Sequence, residues 1–225
     1  MRDDVAIIIP VYNEGRVIKK VLQEVLRQYK YVVCINDGSS DNSSEVVGKT
    51  KAYLVEHPIN MGQGAALQTG VEFARQLPVD YFVTFDADGQ HRLDDVKSML
   101  NVIKTDEYDI VLGSRFLGTA LNMDTTKRIV LKLAVWFSNA TTGLKLTDTH
   151  NGLRVFNRKV AQEMQITLAD MAHASEILEI IAKQKYRYKE IPVTIEYTDY
   201  SKGKGQSTIN AINIGFDTIL RKIGR

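Results

Sequence analysis

The residues of this chain best suited to chemistry lie in the stretch 83–91, which reads Val-Thr-Phe-Asp-Ala-Asp-Gly-Gln-His. An apolar run ends here in two carboxylates, Asp86 and Asp88, and Gln90 and His91 follow closely. Hard cations such as Mg²⁺ and Mn²⁺ prefer oxygen ligands, and they are often held by one or two carboxylates together with substrate phosphates. The stretch therefore indicates a divalent metal that binds a diphosphate. The alternative is a simple polar turn, because Asp and Gly are common after strands.

The first half of the chain alternates predicted strands with predicted helices, which is typical of a parallel sheet covered on both faces. Continuous apolar runs predict the strands, and apolar residues at helical spacing predict the helices. The predicted strands are 5–11, 31–35, 52–56, 81–85 and 109–113. The predicted helices are 15–30, a short one capped by Asn42 or Ser43, 65–76 and 93–104.

Polar residues follow three of these strands at their carboxyl ends, which is the ligand-binding edge of such sheets. These residues are Asn13, Glu14, Asp37, Asp86 and Asp88. We therefore expect three separate loops to converge on one crevice.

The composition is that of an ordinary soluble globular protein, because 44% of its 225 residues are hydrophobic and 25% are charged. This length allows one sizeable α/β domain, and we expect a single domain over 1–225. The net charge of +2 gives no reason to expect a nucleic-acid partner. The single Cys34 excludes an intramolecular disulfide and fits a reducing compartment.

A basic and apolar stretch, 125–141, follows the predicted sheet. Its basic residues are Lys127, Arg128 and Lys132, and its apolar residues include Trp136 and Phe137. Such a helix can lie in the headgroup region of a bilayer or pack as a core helix, and the pattern leaves both open. No signal peptide is evident and no uncharged apolar run reaches 18 residues, so we expect any work at a membrane to take place on its surface.

Later elements are predicted less distinctly. They are strands at 152–156 and 188–197 and helices at 172–185 and 207–223.

Five motifs occur in an order and spacing typical of one enzyme family. They are Pro10-Val-Tyr-Asn-Glu14, Asn36-Asp37-Gly-Ser-Ser-Asp41, Asn60-x-Gly-x-Gly64, Asp86-Ala-Asp88-Gly-Gln90 and Gly113-Ser-Arg115-Phe116. The chain resembles the family 2 inverting glycosyltransferases of the GT-A fold, and most of all their dolichol-phosphate mannose synthase and polyprenyl-phosphate glycosyltransferase branch. The resemblance extends from Val5 to about Ser207.

This resemblance implies a nucleotide-sugar-binding half over 1–118 and an acceptor-side half over 119–225. It also implies roles for named residues. The donor nucleotide would be lined by Pro10, Tyr12, Glu14, Asp37, Asp86 and Ala87. The divalent metal, Mn²⁺ or Mg²⁺, would be held by Asp86, Asp88 and Gln90. The acceptor phosphate would meet Arg115 and Arg128. The element 148–154 looks like an acceptor-side motif, with Asn151 and Leu153 in place of the usual Ser and Phe.

The chemistry depends on the acceptor. A lipid phosphate needs no strong general base, because its second pKa of about 6 leaves it mostly dianionic at neutral pH. A sugar hydroxyl does need a base, for which Glu176 is the candidate unless it is merely an exposed helical residue. The predicted catalytic residues are thus Asp88, Arg115 and Glu176. We expect Lys202 and Lys204 to lie in a flexible loop that closes over the diphosphate.

Together these features predict a metal-dependent inverting transferase that moves a hexose from UDP-glucose or a similar UDP-hexose to polyprenyl phosphate. It would be peripheral at the cytoplasmic face of the cell membrane, with a small membrane-anchoring protein as a further candidate partner. The alternatives are a GDP-mannose donor, a glycan hydroxyl acceptor in polysaccharide synthesis, a sugar-phosphate nucleotidyltransferase, and a non-catalytic nucleotide-sugar-binding subunit. Gln63 stands where many relatives have Lys, which removes a potential phosphate cation. The tail lacks the mannose synthases' Arg-x-x-Gly-x-Ser-Lys pattern and looks more like that of bacterial relatives that use UDP-sugars.

Overall fold

The structure is a computed structural model, and it describes residues 2–169, 172–197 and 200. A seven-stranded sheet forms its centre, in the order β3-β2-β1-β4-β6-β5-β7. The strands are β1 (Arg2–Val11), β2 (Tyr29–Asp37), β3 (Tyr53–His57), β4 (Tyr81–Thr84), β5 (Ile110–Leu121), β6 (Arg154–Asn157) and β7 (Tyr188–Glu196). The helices are α1 (Ile18–Val25), α2 (Ser43–Gly48), α3 (Gln63–Ala74), α4 (Leu93–Ile103), α5 (Thr125–Thr142), α6 (Arg158–Glu163) and α7 (His173–Gln184).

The sheet is mostly parallel, as the alternating pattern predicts. Strands β1 to β4 pair in parallel, and β5 pairs in parallel with β7. Strand β6 is the exception, because it lies antiparallel between β4 and β5. The mixed α/β architecture with helices on both faces is thus confirmed, and the reversed strand is an addition that no local sequence pattern indicates.

Alternate residues of β1 enter two separate hydrophobic layers. Ile7 packs on the face that holds α1 and α4, whereas Ile8 packs on the face that holds α3 and α7. A strand buried on both faces must be apolar at every position, which explains the continuous run in β1. Gly70 lets α3 approach closely, because a Cβ there would lie 2.4 Å from Cγ2 of Ile8.

Several element boundaries differ from the predicted ones. Helix α1 is shorter than 15–30, because the chain first makes a turn in which Ile18 N–H donates to the Glu14 carbonyl, and β2 already begins at Tyr29. Strand β6 begins at Arg154 rather than at Gly152. The predicted loop with Lys202 and Lys204 and the predicted helix 207–223 lie outside the described residues.

Helix α5 matches the predicted segment 125–141 closely. Asp124 caps its start by accepting from the N–H groups of Thr126 and Lys127, and Gly143 ends it in the left-handed conformation. Among its described residues only Ser138 is buried, so the structure does not support the core-helix alternative. Within the described ranges, no helix combines the length and hydropathy needed to cross a bilayer.

Candidate active site at the carboxyl edge of the sheet

A cleft of about 670 Å³ lies at the carboxyl ends of β1, β2 and β4. It brings together most of the residues predicted from the sequence, namely Pro10, Tyr12, Glu14, Asp37, Asp86, Ala87, Asp88, Gln90 and Arg115. Parallel strands end at the same edge, and the loops that follow them therefore converge. Predicted residues that do not line the cleft are Arg128 and Glu176.

Asp86 is held in place from three directions. His91 Nε2 lies 2.8 Å from Asp86 Oδ2, and Gln63 Nε2 donates to Oδ1 over 3.3 Å. Gly152 abuts the carboxylate so closely that a Cβ there would lie 2.3 Å from Oδ2. Burial acts to raise the pKa of Asp86, but the attraction of His91, Arg154 and His173 holds it below the ordinary value. Asp86 is therefore ionised and fixed in orientation.

Asp88 has a different electrostatic environment. Burial, with the neighbouring Asp86 carboxylate as the next cause, raises the pKa of Asp88 to about 6. Gln90 N–H donates to Asp88 Oδ1 over 3.1 Å, and the Gln90 side-chain amide contacts Oδ2. Two carboxylates that crowd each other in a cleft form the environment that a divalent cation neutralises.

The donor set fits Mg²⁺ or Mn²⁺ better than a metal that needs a complete protein cage. Across residues 2–169 and 172–197, no cluster of three His, Cys, Asp or Glu side chains is arranged around a metal position. Two carboxylates, with Gln90 beside them, leave coordination positions for water and phosphate oxygens, which is the usual arrangement for Mg²⁺.

Asp37 organises the glycine-rich turn before α3. Its carboxylate accepts from the N–H groups of Met61 and Gly62, each over 2.9 Å, and lies 2.7 Å from His57 Nδ1. The turn places Gly62 at φ 91°, in the region that favours glycine. Asp37 thus fixes this wall of the cleft, and its contact with the donor nucleotide stays a prediction.

Glu14 links the first loop to a residue distant in sequence. Its N–H donates to Ser43 Oγ over 2.8 Å, and its carboxylate accepts from the Tyr200 hydroxyl over 2.7 Å. Burial, followed by the bond to Glu14, raises the pKa of Tyr200. The loop after β1 is therefore bound both to α2 and to the chain beyond β7.

Cationic residues enter the same cleft from β5 and α5. Arg115 is buried, and its Nε donates to Asp148 Oδ2 over 2.6 Å while its Nη1 donates to the Tyr197 hydroxyl over 2.6 Å. Burial acts to lower the pKa of Arg115, but Asp148 keeps it raised, so the guanidinium is charged. Lys127 Nζ lies 4.3 Å from the centre of the Tyr197 ring.

The resemblance assigned Arg128 to the acceptor phosphate, but the residue of α5 that reaches the cleft is Lys127. Arg128 is exposed on α5 and lines no part of the cleft, whereas Lys127 is half-buried there. Successive residues of a helix point about 100° apart, and on α5 this difference in direction brings Lys127 into the cleft but not Arg128. Burial and the nearby Arg115 lower the pKa of Lys127.

Glu176, the candidate base, also does not line the cleft. Its carboxylate accepts from the N–H groups of Thr167 and Leu168, over 3.0 Å and 2.9 Å, and from the Thr167 hydroxyl. Glu176 therefore anchors the 167–168 loop to α7, and it is neither a cleft residue nor a fully solvated helical side chain.

Some cleft residues carry no strong signal in the sequence. They are Gln63, Lys127, His150, Asn151, Arg154, His173 and Tyr197. Asn151 and Arg154 belong to the acceptor-like element 148–154, which drew attention to the segment but gave neither side chain a role. His173 comes from α7, and only the tertiary fold shows that it reaches the cleft.

The chain has the GT-A fold. It is similar to the crystal structure of glucosyl-3-phosphoglycerate synthase from Mycobacterium tuberculosis in complex with Mn²⁺, uridine diphosphate and phosphoglyceric acid. The TM-score is 0.71 at 12% identity, over 96% of this chain and 78% of that chain. At this identity the likeness concerns the fold alone.

The sequence comparisons specify the family. Residues 6–165 match the family described as Glycosyl transferase family 2. The chain is 31% identical to a UDP-N-acetylglucosamine–dolichyl-phosphate N-acetylglucosaminyltransferase of Methanococcus voltae, over 97% of this chain and 96% of that protein. It is 30% identical to a dolichyl-phosphate beta-glucosyltransferase of Trichomonas vaginalis, over 88% of this chain and 68% of that protein. It is also 31% identical to an uncharacterised protein of Methanocaldococcus jannaschii, over 99% and 93% of the two chains.

The chain therefore belongs to glycosyl transferase family 2 and is a glycosyltransferase. The resemblance stated from the five motifs is confirmed, including its polyprenyl-phosphate branch.

Proposed function

We propose that this enzyme transfers a hexose from a UDP-sugar to a polyprenyl phosphate, with inversion at the anomeric carbon and with a divalent metal bound. The observation that carries the proposal is the pairing, in one cleft, of a carboxylate set (Asp86 and Asp88) with a cation set (Arg115 and Lys127). The carboxylate set suits a metal-bound diphosphate, and the cation set suits the phosphate of the acceptor. A single cleft with both is what transfer between two phosphates requires.

The donor would lie at the carboxylate set. Asp86 and Asp88, with Gln90, would hold Mn²⁺ or Mg²⁺, which supplies neutralisation of the leaving diphosphate when it is bound. The backbone around Met61 and Gly62, fixed by Asp37, would form the wall against the nucleoside. The UDP assignment is supported by relatives, because the M. voltae enzyme is named for a UDP-sugar and the mycobacterial synthase was crystallised with UDP.

The acceptor would lie at the cation set. Arg115 is already oriented by Asp148 and Tyr197, so it loses little freedom when it meets a phosphate. Lys127 adds a second charge within electrostatic range of both Arg115 and Asp88. The relatives from M. voltae and T. vaginalis are both named for dolichyl phosphate, which supports a polyprenyl phosphate acceptor.

The reaction balances without a protein base. An oxygen of the lipid phosphate dianion attacks the anomeric carbon, a new carbon–oxygen bond forms, and the bond to UDP breaks with its electron pair leaving on UDP. The absence of proton transfer agrees with Glu176, which is bonded to Thr167 and Leu168 rather than turned toward the cleft. A hydroxyl acceptor would require a base in reach of it.

Helix α5 would bring the cleft to the membrane. Lys127 faces the cleft, while the outer face of the helix exposes Ile129, Leu133 and Trp136 at 56%, 62% and 70%. Arg128 and Lys132 accompany them, and basic residues beside exposed apolar ones suit an anionic membrane surface. We propose a peripheral location at the inner face of the cell membrane, where a lipid phosphate is within reach of Arg115.

The test is transfer of radiolabel from UDP-glucose, UDP-N-acetylglucosamine and GDP-mannose to polyprenyl phosphate in detergent. Each donor is tested with Mn²⁺ or Mg²⁺ and again with EDTA. We expect an EDTA-sensitive, organic-extractable product from a UDP-sugar. A lipid product only from GDP-mannose would overturn the UDP assignment, and a water-soluble glycan product alone would overturn the acceptor.

A further inference from the structure

The segment 148–154 connects the two charged sets of the cleft. At one end, Asp148 binds Arg115. Near the other end, Gly152 packs against the Asp86 carboxylate, and its carbonyl accepts from Thr84 Oγ1 over 2.6 Å. The residues of this segment therefore lie between the place proposed for the diphosphate and the place proposed for the acceptor phosphate.

Two buried polar atoms of this segment have no hydrogen-bond partner among the described residues. They are Asn151 Nδ2 and Arg154 Nη1. Asn151 is 4% exposed and Arg154 is 3% exposed, and both residues line the cleft. An unpaired buried donor is costly, and such donors in native structures are normally satisfied by a ligand or a water.

The orientation of the Asn151 amide is fixed by the backbone. Its Oδ1 accepts from the Leu153 N–H over 3.0 Å, and this leaves Nδ2 as the unpaired group. A serine, which the resemblance places at this position, carries a shorter side chain with one hydroxyl. The Nδ2 amide of Asn151 thus places a hydrogen-bond donor where the shorter serine side chain would have none.

Arg154 is a buried cation with carboxylates nearby but not bonded to its Nη1. Burial lowers its pKa to about 10, and Asp86 and Asp148 act in the opposite direction, so Arg154 is charged at neutral pH. Within hydrogen-bonding distance of Nη1 there is no acceptor in the described part of the chain. An oxygen-rich ligand in the cleft would supply one.

We propose that Asn151 and Arg154 bind the hydroxyl oxygens of the hexose that is being transferred, and so act as specificity-determining residues on the sugar. This inference rests on the proposed function, because the sugar must span the gap between the donor diphosphate and the attacking phosphate. The chemical class of the ligand is a pyranose whose hydroxyl or N-acetyl oxygens accept hydrogen bonds. The nucleoside diphosphate alone would not reach these two donors.

The test separates the sugar from the nucleotide. The affinities for UDP, UDP-glucose and UDP-N-acetylglucosamine are measured by calorimetry with Mn²⁺ for the wild type, Asn151→Ser and Arg154→Lys. The matched control is Asn101→Ser on the exposed face of α4. Thermal unfolding of each variant verifies that it is folded, and Asn151→Ser, which changes no charge, keeps the test decisive if Arg154→Lys does not fold.

We expect Asn151→Ser to lower the affinity for at least one UDP-sugar by about fivefold, which is the effect of one lost hydrogen bond. The affinity for UDP should change by less than about twofold. Equal losses for UDP and both UDP-sugars, or no loss for any of them, would overturn the inference but leave the proposed function intact. A wild-type protein that binds neither UDP nor a UDP-sugar would contradict the proposed function as well.

Discussion

The carboxylate set and the cation set occupy one cleft but are built in different ways. Asp86 and Asp88 follow a buried strand directly, and their positions are fixed by short contacts with His91 and Gln90. Arg115 and Lys127 come from a strand and a helix that meet at Tyr197, far along the chain. The first set is encoded locally, whereas the second depends on the tertiary fold.

The largest effect is expected at the carboxylate set. Asp88→Asn removes one of the two carboxylate charges proposed to hold the metal, and metal stabilisation of a leaving group amounts to several kcal/mol. We expect transfer to fall by at least about a hundredfold. The control is Asp94→Asn, an exposed change on α4. Full turnover in Asp88→Asn would show that the carboxylate set does not hold a metal.

The cation set is tested by two adjacent residues on α5. Lys127→Met should raise the KM for polyprenyl phosphate by about tenfold, because a charged hydrogen bond contributes about 1.5–3 kcal/mol. Arg128→Met should change that KM by less than about twofold, because Arg128 is outside the cleft. Steady-state kinetics with varied acceptor measures both. A larger rise in KM for Arg128→Met than for Lys127→Met would instead support the prediction from the sequence that Arg128 meets the acceptor phosphate.

The outer face of α5 is the proposed contact with the membrane. Replacing Trp136 by Ser should reduce sedimentation with anionic vesicles by about tenfold, because a buried aromatic side chain contributes about 1.5–3 kcal/mol. Activity on a short-chain acceptor in detergent should hardly change. Tyr53→Ser, exposed on the edge strand β3, is the control. Equal vesicle binding by the wild type, Trp136→Ser and Tyr53→Ser would contradict a membrane contact through α5.

The smallest effect is expected from His150, between the two sets. Burial lowers the pKa of His150 to about 4, and Arg115 and Arg154 oppose its protonation further while Asp148 favours it. The unfolded chain binds this proton near pH 6.5, so the stability due to neutral His150 is complete above that pH and is lost as the pH falls toward 4. The free energy of unfolding, measured by urea denaturation, should therefore fall less steeply below pH 6.5 in His150→Gln than in the wild type. An equal fall with pH in both proteins would contradict the lowered pKa of His150.

Much of the fold and of the carboxylate set could be predicted from the sequence, because both depend on short-range patterns. The apolar run of β1 and the Asp-x-Asp turn after β4 are local features that place polar groups at one sheet edge. The choice of Lys127 over Arg128 could not be read in this way, since it depends on the rotation of α5 about its axis. Glu176 was misplaced for a similar reason, because only the fold brings Thr167 beside it.

Asn151 and Arg154 illustrate a further limit. Both lie in a recognisable motif, but the place of this segment depends on β6, which runs antiparallel between β4 and β5. No periodicity in the sequence indicates that reversal.

The most direct test of the account is a choice of acceptor in a single experiment. The wild-type enzyme is given a labelled UDP-sugar, Mn²⁺, and an equal mixture of polyprenyl phosphate and polyprenol of the same chain length. We predict label on the phosphate and almost none on the alcohol, because the charges of Arg115 and Lys127 suit a phosphate and Glu176, the candidate base, does not line the cleft. Equal labelling of polyprenol would contradict it.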